Sequence, residues 1–461
     1  MFTVDFNKPI HVHFIGIGGI SMSGLAHILL QRNFVVSGSD SHESSLTDEL
    51  EAAGCKVFYG QKAENITNDI DLTVYTAAIT PSNPEFAAAK ASGKPMLTRA
   101  ELLGQIMRNY RVAVNVAGTH GKTTTTSMIT EILMEGKCDP TISVGGILDS
   151  IGGNIRIGKS DIFVTEACEY TNSFLSFFPT MNIILNVKAD HLDFFKDIDD
   201  IRHSFKLFTE KLPDNGTLII NSDIENFEYF YKDKCCEVIT VGSNPEKSNY
   251  SAADIEYDKL GCCSYTLLIN RKPSGKVVLN VPGLHNVYNS LAAIAAGLKL
   301  GLSLETIIKG VGNFTGTERR FQKKGVFNGV TVVDDYAHHP DEITATLNSA
   351  KHYPHNNIWC VFQPHTYSRT KALLHDFAAA LSAADIVVLA DIYAARETDT
   401  LGVSSKDLQE ALHKLGRECY YFDSFEKIEK FLLKNCINDD LLITMGAGDI
   451  YKVGEALISS K

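Results

Sequence analysis

The residues Gly118-Thr119-His120-Gly121-Lys122-Thr123-Thr124 have the types and order needed to hold phosphate. They follow an apolar, β-branched, alternating run over residues 111–117 and open a run from about 122 to 134 that reads as a helix. A helix N-terminus presents unpaired N–H groups and about half a positive charge, and glycines let the backbone wrap an anion. In such a loop Lys122 reaches the β- and γ-phosphates, and the Thr123 hydroxyl falls where a Mg²⁺ ligand is needed. The general G-x-x-x-x-G-K-[ST] pattern would require glycine at position 116, which is Val116, so this loop is a shorter form. The bland alternative is an ordinary glycine-rich turn capping a helix.

A second glycine block, Gly16-Ile17-Gly18-Gly19-Ile20-Ser21, follows an apolar strand over residues 11–15, and Asp40 ends the next strand some twenty positions on. This is the layout of a Rossmann-type nucleotide site. Ser21 stands where the third glycine of G-x-G-x-x-G would be, which weakens a dinucleotide cofactor and leaves a helix N-terminus over a nucleotide diphosphate, with a purely structural turn as the plain alternative. Glu166 ends the strand expected over residues 161–165. An acidic residue at a strand tip beside a phosphate loop sits where Mg²⁺ is usually held. His191 lies in a polar run past the strand expected over 181–186 and faces the same crevice in this reading; a lone histidine there is more often a surface residue.

The elements that must position these groups alternate strand and helix, which implies an α/β fold with a largely parallel sheet. At 461 residues the chain exceeds one ordinary core. Three domains are expected: an N-terminal Rossmann-like domain over 1–107, a central phosphate-loop mononucleotide-binding α/β domain over 108–318, and a C-terminal Rossmann-like domain over 319–461. Beyond about Gly216 the pattern reads as short strands with hairpin turns, including strands over 264–269 and 276–281 around Lys272-Pro273-Ser274-Gly275. In the last third a strand is expected over 326–333 and a helix over 370–381.

Apolar residues make up 44% of the chain and charged residues 21%, both globular values. A net charge of -12 argues against nucleic acid as a partner, since phosphate backbones are bound by basic surfaces. Anionic small molecules need only local positive sites such as Lys122, Arg319 and Arg320. The ten cysteines include two adjacent pairs but no C-x-x-C spacing, so free thiols in a reducing cytosol are expected. No signal-peptide pattern opens the chain, and no run of about 18 apolar residues occurs to insert in a membrane. A cytoplasmic location is expected, and the sequence leaves the oligomeric state open.

Five blocks together resemble the Mur ligase family over nearly the whole chain: residues 13–21 with Ser37-Gly38-Ser39-Asp40; Gly118 to Thr124; residues 189–193; residues 283–289; and residues 334–340 with Phe362-Gln363-Pro364-His365. The short phosphate loop is that family's own form. The resemblance implies an ATP-dependent amide ligase, closest in pattern to members that join L-alanine to the lactyl carboxylate of UDP-N-acetylmuramate. It implies that Gly16, Gly18, Gly19, Ile20, Ser21 and Asp40 hold the UDP-sugar, and that Gly118, Thr119, His120, Gly121, Lys122, Thr123 and Thr124 hold ATP. Asn286, Asn289, Arg320 and Asp335 are likewise carried to the ATP site; Thr123, Glu166 and His191 to Mg²⁺; and His338 and Arg369 to the amino acid, with His338 as candidate base.

Three positions depart from the family pattern. Cys168 stands where members commonly carry aspartate in E-A-D-E, Thr366 stands where some carry arginine, and Lys206 occupies the offset from His191 at which sister ligases use a carbamylated lysine. The rivals are a sister ligase adding a preformed peptide to the same sugar nucleotide, a folylpolyglutamate synthase, an NAD-dependent oxidoreductase, and a non-catalytic nucleotide-binding regulator. The folate enzyme would not need the N-terminal glycine block, the oxidoreductase leaves Gly118 to Thr124 without work, and the regulator leaves Glu166, His191 and Arg320 unexplained.

Overall fold

Strands separated by helices have no hairpin partner, so they pair in parallel through crossovers. In the computed structural model, which describes residues 2–76, 78–395 and 397–459, this produces three sheets of five, ten and six strands. The first has the order Lys56–Tyr59, Val35–Asp40, His11–Ile15, Leu72–Tyr75, Met96–Thr98 and is parallel throughout. The chain winds to one side of His11–Ile15 and then to the other, which opens a crevice at the carboxyl ends of His11–Ile15 and Leu72–Tyr75. Gly16 closes on that crevice with φ +85, and a Cβ there would lie 3.0 Å from Thr76.

The second sheet has a parallel centre in the order Glu237–Val241, Thr217–Asn221, Met181–Ile184, Val112–Ala117, Ile162–Ala167, Thr141–Leu148. Its edges are antiparallel: Gly153–Arg156 on one side, and a meander of Tyr250–Tyr257, Cys262–Ile269 and Lys272–Pro282 on the other. Val112–Ala117 is thus flanked by Met181–Ile184 and Ile162–Ala167, so the phosphate loop, Glu166 and the segment after residue 184 emerge at one end. The helix Lys122–Glu135 buries Ile129, Ile132 and Leu133 against Val287, Leu291 and Ile307 of the helices Leu284–Lys299 and Leu304–Asn313. Gly310 permits the approach, since a Cβ there would meet the Ile132 backbone at 2.6 Å.

The third sheet runs Gln322–Phe327, Val330–Asp335, Leu441–Met445, Ile358–Phe362, Ile386–Leu389, Glu418–Tyr421, parallel except for the first pair. All ten cysteines are free thiols.

Four expectations from sequence are corrected. The parallel run continues past Gly216 through Thr217–Asn221 and Glu237–Val241, because each follows a crossover rather than a hairpin. The hairpin near residue 270 turns at Asn270 and Arg271, both at positive φ (47 and 67), the geometry of a type I′ turn; Pro273 to Gly275 are absorbed in a bulge instead. The strand expected over 326–333 is two antiparallel strands turning at Asn328-Gly329 (φ 46 and 80), a dipeptide that favours this turn. The helix expected over 370–381 is divided at Leu373 (φ -113, ψ 22) into Tyr367–Ala372 and Leu374–Leu381.

Candidate active site

The phosphate loop needs its glycines. Gly118 adopts φ +145, and Gly121 caps the helix at φ +86 where a Cβ would lie 2.6 Å from Asn289 Oδ1. The loop is clamped from the neighbouring strand end: Asn186 Oδ1 accepts from His120 N (2.8 Å), Asn186 Nδ2 donates to His120 O (2.9 Å), and Thr119 Oγ1 accepts from Lys188 N (2.9 Å). Lys122 Nζ donates to the carbonyls of Gly118 (2.5 Å) and Thr119 (3.1 Å) and lies 3.1 Å from Glu169 Oε2. Burial acts to lower the pKa of this amine, but Glu169, with Cys168 and Glu166 behind it, outweighs burial and raises it, so Lys122 stays charged. Glu169 is buried at 2% exposure, and sequence reasoning gave it no role.

A cavity of about 450 Å³ opens over the loop. It gathers eight of the expected ATP-site residues: His120, Gly121, Thr123, Thr124, Asn286, Asn289, Arg320 and Asp335. Asn289 Nδ2 donates to Asn286 Oδ1 (3.0 Å), and Asn286 Nδ2 donates to Pro282 O (2.8 Å), so both side chains are held in place. Arg320 lies over the Tyr336 ring at 5.5 Å. Asp335 accepts from the backbone N–H groups of Phe321 and Ala337 at 2.8 Å each; burial raises its pKa to about 6 against the pull of Arg320 and these bonds. Arg319, at φ 59, is anchored by Asp334 (2.9 Å) and Gly446 O (2.6 Å), so the link into the third sheet is a tightly held bend.

Glu166 stands opposite Val116 in register, inside the strand rather than beyond it. Its Oε1 accepts from Gly145 N (2.5 Å). A Cβ at Gly145 would lie 2.8 Å from Glu166 Oε2, and one at Gly146 would lie 3.2 Å from Thr123 Cγ2. Thr123 and Glu166 therefore share one glycine strip of Thr141–Leu148. His191, at φ 53, is stacked on Tyr170 at 4.5 Å and has Nε2 3.8 Å from Asp190 Oδ2. It lines a second cavity of about 750 Å³, not the first.

That second cavity draws Thr76 and Arg99 from beside the first sheet, Cys168, Tyr170 and His191 from the second, and Thr366 and Arg369 from the third. Cys168 and Thr366, two of the three departures from family pattern, face it. Arg369 is not free-standing: Nη2 donates to Asp190 Oδ1 at 3.0 Å and Nη1 lies 3.1 Å from His365 Nδ1. Burial alone would raise the Asp190 pKa, but Arg369, then His191 and His339, hold it far below the usual carboxylate range. His338 lines neither cavity. Its Nδ1 donates to Tyr336 O (3.0 Å), which leaves Nε2 with the lone pair, and burial lowers its pKa.

Glu342 was also unforeseen. One of its oxygens accepts from His120 Nδ1 (3.1 Å) and the other from His338 N (3.0 Å), so a single carboxylate ties the phosphate loop to the third sheet's helix Pro340–Ala350. Although burial works to raise it, its pKa is pulled well down by those histidines and Arg320. At the N-terminal glycine block, the helix Ile20–Gln31 starts at Gly19 without a side-chain cap. Asp40 accepts from Gly18 N (2.8 Å) and Ser41 N (2.7 Å), and Ser21 Oγ accepts from Arg99 Nη1 (3.1 Å). Lys206 is elsewhere, on Ile198–Glu210, paired with Asp233 at 2.7 Å and set over Tyr229.

A short phosphate loop at the centre of one of three α/β sheets, with cavities bordered by the other two, defines a nucleotide-dependent enzyme of three parts. Residues 11–111 match the model of the Mur ligase family, catalytic domain; residues 116–297 match the Mur ligase middle domain; residues 319–448 match the Mur ligase, glutamate ligase domain. The chain belongs to the Mur ligase family. It is 73% identical over 458 residues to a UDP-N-acetylmuramate--L-alanine ligase of Lachnospira eligens, covering 99% of this chain and 100% of that one. A protein of the same name from Agathobacter rectalis is 60% identical with the same coverage. Among solved structures, the UDP-N-acetylmuramate-alanine ligase of Thermotoga maritima superposes with a TM-score of 0.79 at 29% identity, covering 97% of this chain and 98% of that one.

Proposed function

We propose that the protein is an ATP-dependent amide ligase that joins L-alanine to the lactyl carboxylate of UDP-N-acetylmuramate, a step of peptidoglycan precursor synthesis. The observation that carries the reading is that the two cavities adjoin along one short segment: Asn186 and Lys188 border the phosphate-loop cavity, and Ala189 to Asp193 border the cavity reached from all three sheets. A phosphoryl group held in one is within reach of a carboxylate held in the other. The division into 1–107, 108–318 and 319–461 assigns the UDP-sugar, ATP and amino acid to successive parts.

The lactyl carboxylate oxygen attacks the γ-phosphorus, the bond to ADP breaks, and an acyl phosphate forms. The alanine nitrogen then attacks the acyl carbon, the C–O bond to phosphate breaks with its electron pair, and the amine gives up a proton. In the first step an anion approaches an anion, and Lys122 and Arg320 supply positive charge at the transferring group. Asp335 holds the backbone N–H groups of Phe321, next to Arg320, and of Ala337, and so keeps Arg320 over the cavity. Thr123 and Glu166, hard oxygen donors on one glycine strip, suit Mg²⁺, which takes one or two protein oxygens beside substrate phosphates; His191 completes the proposed set from the adjoining cavity. Bound there, Mg²⁺ supplies charge neutralisation of the phosphates.

Arg369 uses one N–H on Asp190 and one on His365 Nδ1, and its remaining donors serve the alanine carboxylate. His338 reaches the second cavity from behind His365, whose ring is 5.7 Å from its own, and, neutral with Nε2 unprotonated, it takes the amine proton. Gly18, Gly19 and the uncapped N-terminus at Ile20 and Ser21 receive the diphosphate, with Asp40 bracing the turn. Lys206, already paired with Asp233, has no part. No helix among the described residues is long and apolar enough to cross a membrane, and use of ATP and a nucleotide sugar supports a cytoplasmic location. The test is product mass after incubation with ATP, Mg²⁺, UDP-N-acetylmuramate and either single amino acids or a preformed peptide. A product gaining only L-alanine is expected; a product gaining the peptide, or no ATP-dependent product, refutes the reading.

A further inference from the structure

His120, His339 and Asp341 each offer one ligand atom, and these atoms lie within 4.8 Å of one another. His120 comes from the phosphate loop, while His339 and Asp341 come from the start of Pro340–Ala350 on the third sheet, so the cluster exists only where the two parts meet. Three contacts define its chemistry. His120 Nδ1 donates to Glu342 (3.1 Å), which fixes the tautomer and leaves Nε2 with its lone pair. That Nε2 is buried and has no hydrogen-bond partner, a costly condition for a polar atom that calls for a water or an ion. Asp341 Oδ2 lies 4.0 Å from it, and the His120 and His339 rings are 4.9 Å apart.

We propose that His120 Nε2, Asp341 and His339 form a binding site for a divalent first-row transition metal that bridges the phosphate loop and the C-terminal part of the chain. A carboxylate donating its charge to the far nitrogen of a ligating histidine is the usual support of such sites, and Glu342 has that position. Two imidazole nitrogens with one carboxylate oxygen favour zinc, cobalt or nickel over Mg²⁺, which prefers oxygen. The site shares no residue with the Mg²⁺ set proposed above, Thr123, Glu166 and His191. His339 ligates by exchanging one of its two present bonds, to Ala189 O (3.2 Å) or from Asp341 N (3.3 Å), both long, while Asp341 is half-exposed and free to swing in.

The test titrates Co²⁺ into the full chain without nucleotide or Mg²⁺ and reads the visible absorption. One saturable equivalent is expected, with no sulfur-to-metal charge-transfer band from the ten thiols. Asp341→Asn and His339→Asn are each expected to weaken it at least tenfold. Glu342→Gln, which removes no ligand, is expected to weaken it by about 10- to 100-fold. Asp341 is half-exposed, so Asp341→Asn keeps the test valid if a buried variant misfolds, with circular dichroism reporting on each. Absence of saturable Co²⁺ binding, a thiolate charge-transfer band, or an affinity unchanged in folded Asp341→Asn overturns the proposal, and water is then the partner of His120.

Discussion

Replacing Arg369 and Asp190 singly and together tests whether the ion pair between the second and third parts of the chain orients the guanidinium proposed to receive alanine. The charges are 3.0 Å apart with side chains only 12% and 9% exposed. At an effective dielectric of 20 the attraction is about 5 to 6 kcal/mol, of which desolvation removes a large part. Two charge-assisted hydrogen bonds from Arg369 to a carboxylate are worth about 1.5 to 3 kcal/mol, so Arg369→Ala is expected to raise the alanine KM by about 10- to 150-fold. Acyl phosphate formation needs no alanine, and the variant should still give an intermediate trappable by hydroxylamine. Asp190→Asn leaves Arg369 in place but held only at His365 and should raise the KM by a smaller factor, about tenfold. If Asp190 acts through Arg369, the double variant resembles Arg369→Ala, with a coupling energy of about 1 kcal/mol or more; independent sites add within about 0.5 kcal/mol. The depressed Asp190 pKa means the pair's contribution is fully present above the ordinary carboxylate value of 3.8 and is lost only as pH falls through the lowered one, so measurements near neutrality see it intact. An unchanged alanine KM in folded Arg369→Ala refutes the carboxylate role. A hydroxamate yield that falls as far as turnover shows instead that the pair serves closure alone, and strict additivity removes Asp190 from the argument.

Lys122→Ala is expected to cost at least about 100-fold in ligation rate with the circular dichroism spectrum unchanged, because it removes one preorganised charge from the phosphoryl transfer; a folded variant with more than half its activity refutes the phosphate-loop role. Glu166→Gln and His191→Ala should each raise the Mg²⁺ concentration for half activity, and an unchanged requirement in either takes that residue away from the metal. For His338, burial lowers the pKa below 6.5, and its neutral form is the active one. At saturating alanine, the acid limb of kcat should therefore have its midpoint below pH 6.5, while His338→Gln should lose about 10²- to 10⁴-fold along with that limb. A limb that persists in the variant assigns the titration to another group.

The parallel sheets and both glycine blocks were legible because each rests on local pattern: β-branched runs predict strands, and the glycines at 16, 118 and 121 occupy backbone angles that other residues resist. The turn at Asn328-Gly329 was equally legible from its dipeptide, and was hidden only because the apolar residues on either side read as one strand. Glu342, Asp190 and Glu169 were not legible, since each matters through a partner far along the chain. Glu342 meets His120 across 222 positions, and Asp190 meets Arg369 across 179. Each is an acidic residue in a polar run, which by composition is a solvated side chain; tertiary docking turns it into a buried anion facing a cation or an imidazole. Sequence thus points to the loop proposed to hold phosphate, because such a loop imposes its angles on the backbone. The carboxylates that lock the third part of the chain onto that loop answer to no local rule. Substitutions at Glu342 and Asp190 should accordingly disturb coupling between parts of the chain more than the stability of any one of them, whereas Glu169 holds Lys122 within the central part; the Asp190–Arg369 cycle is the most direct measure of that coupling.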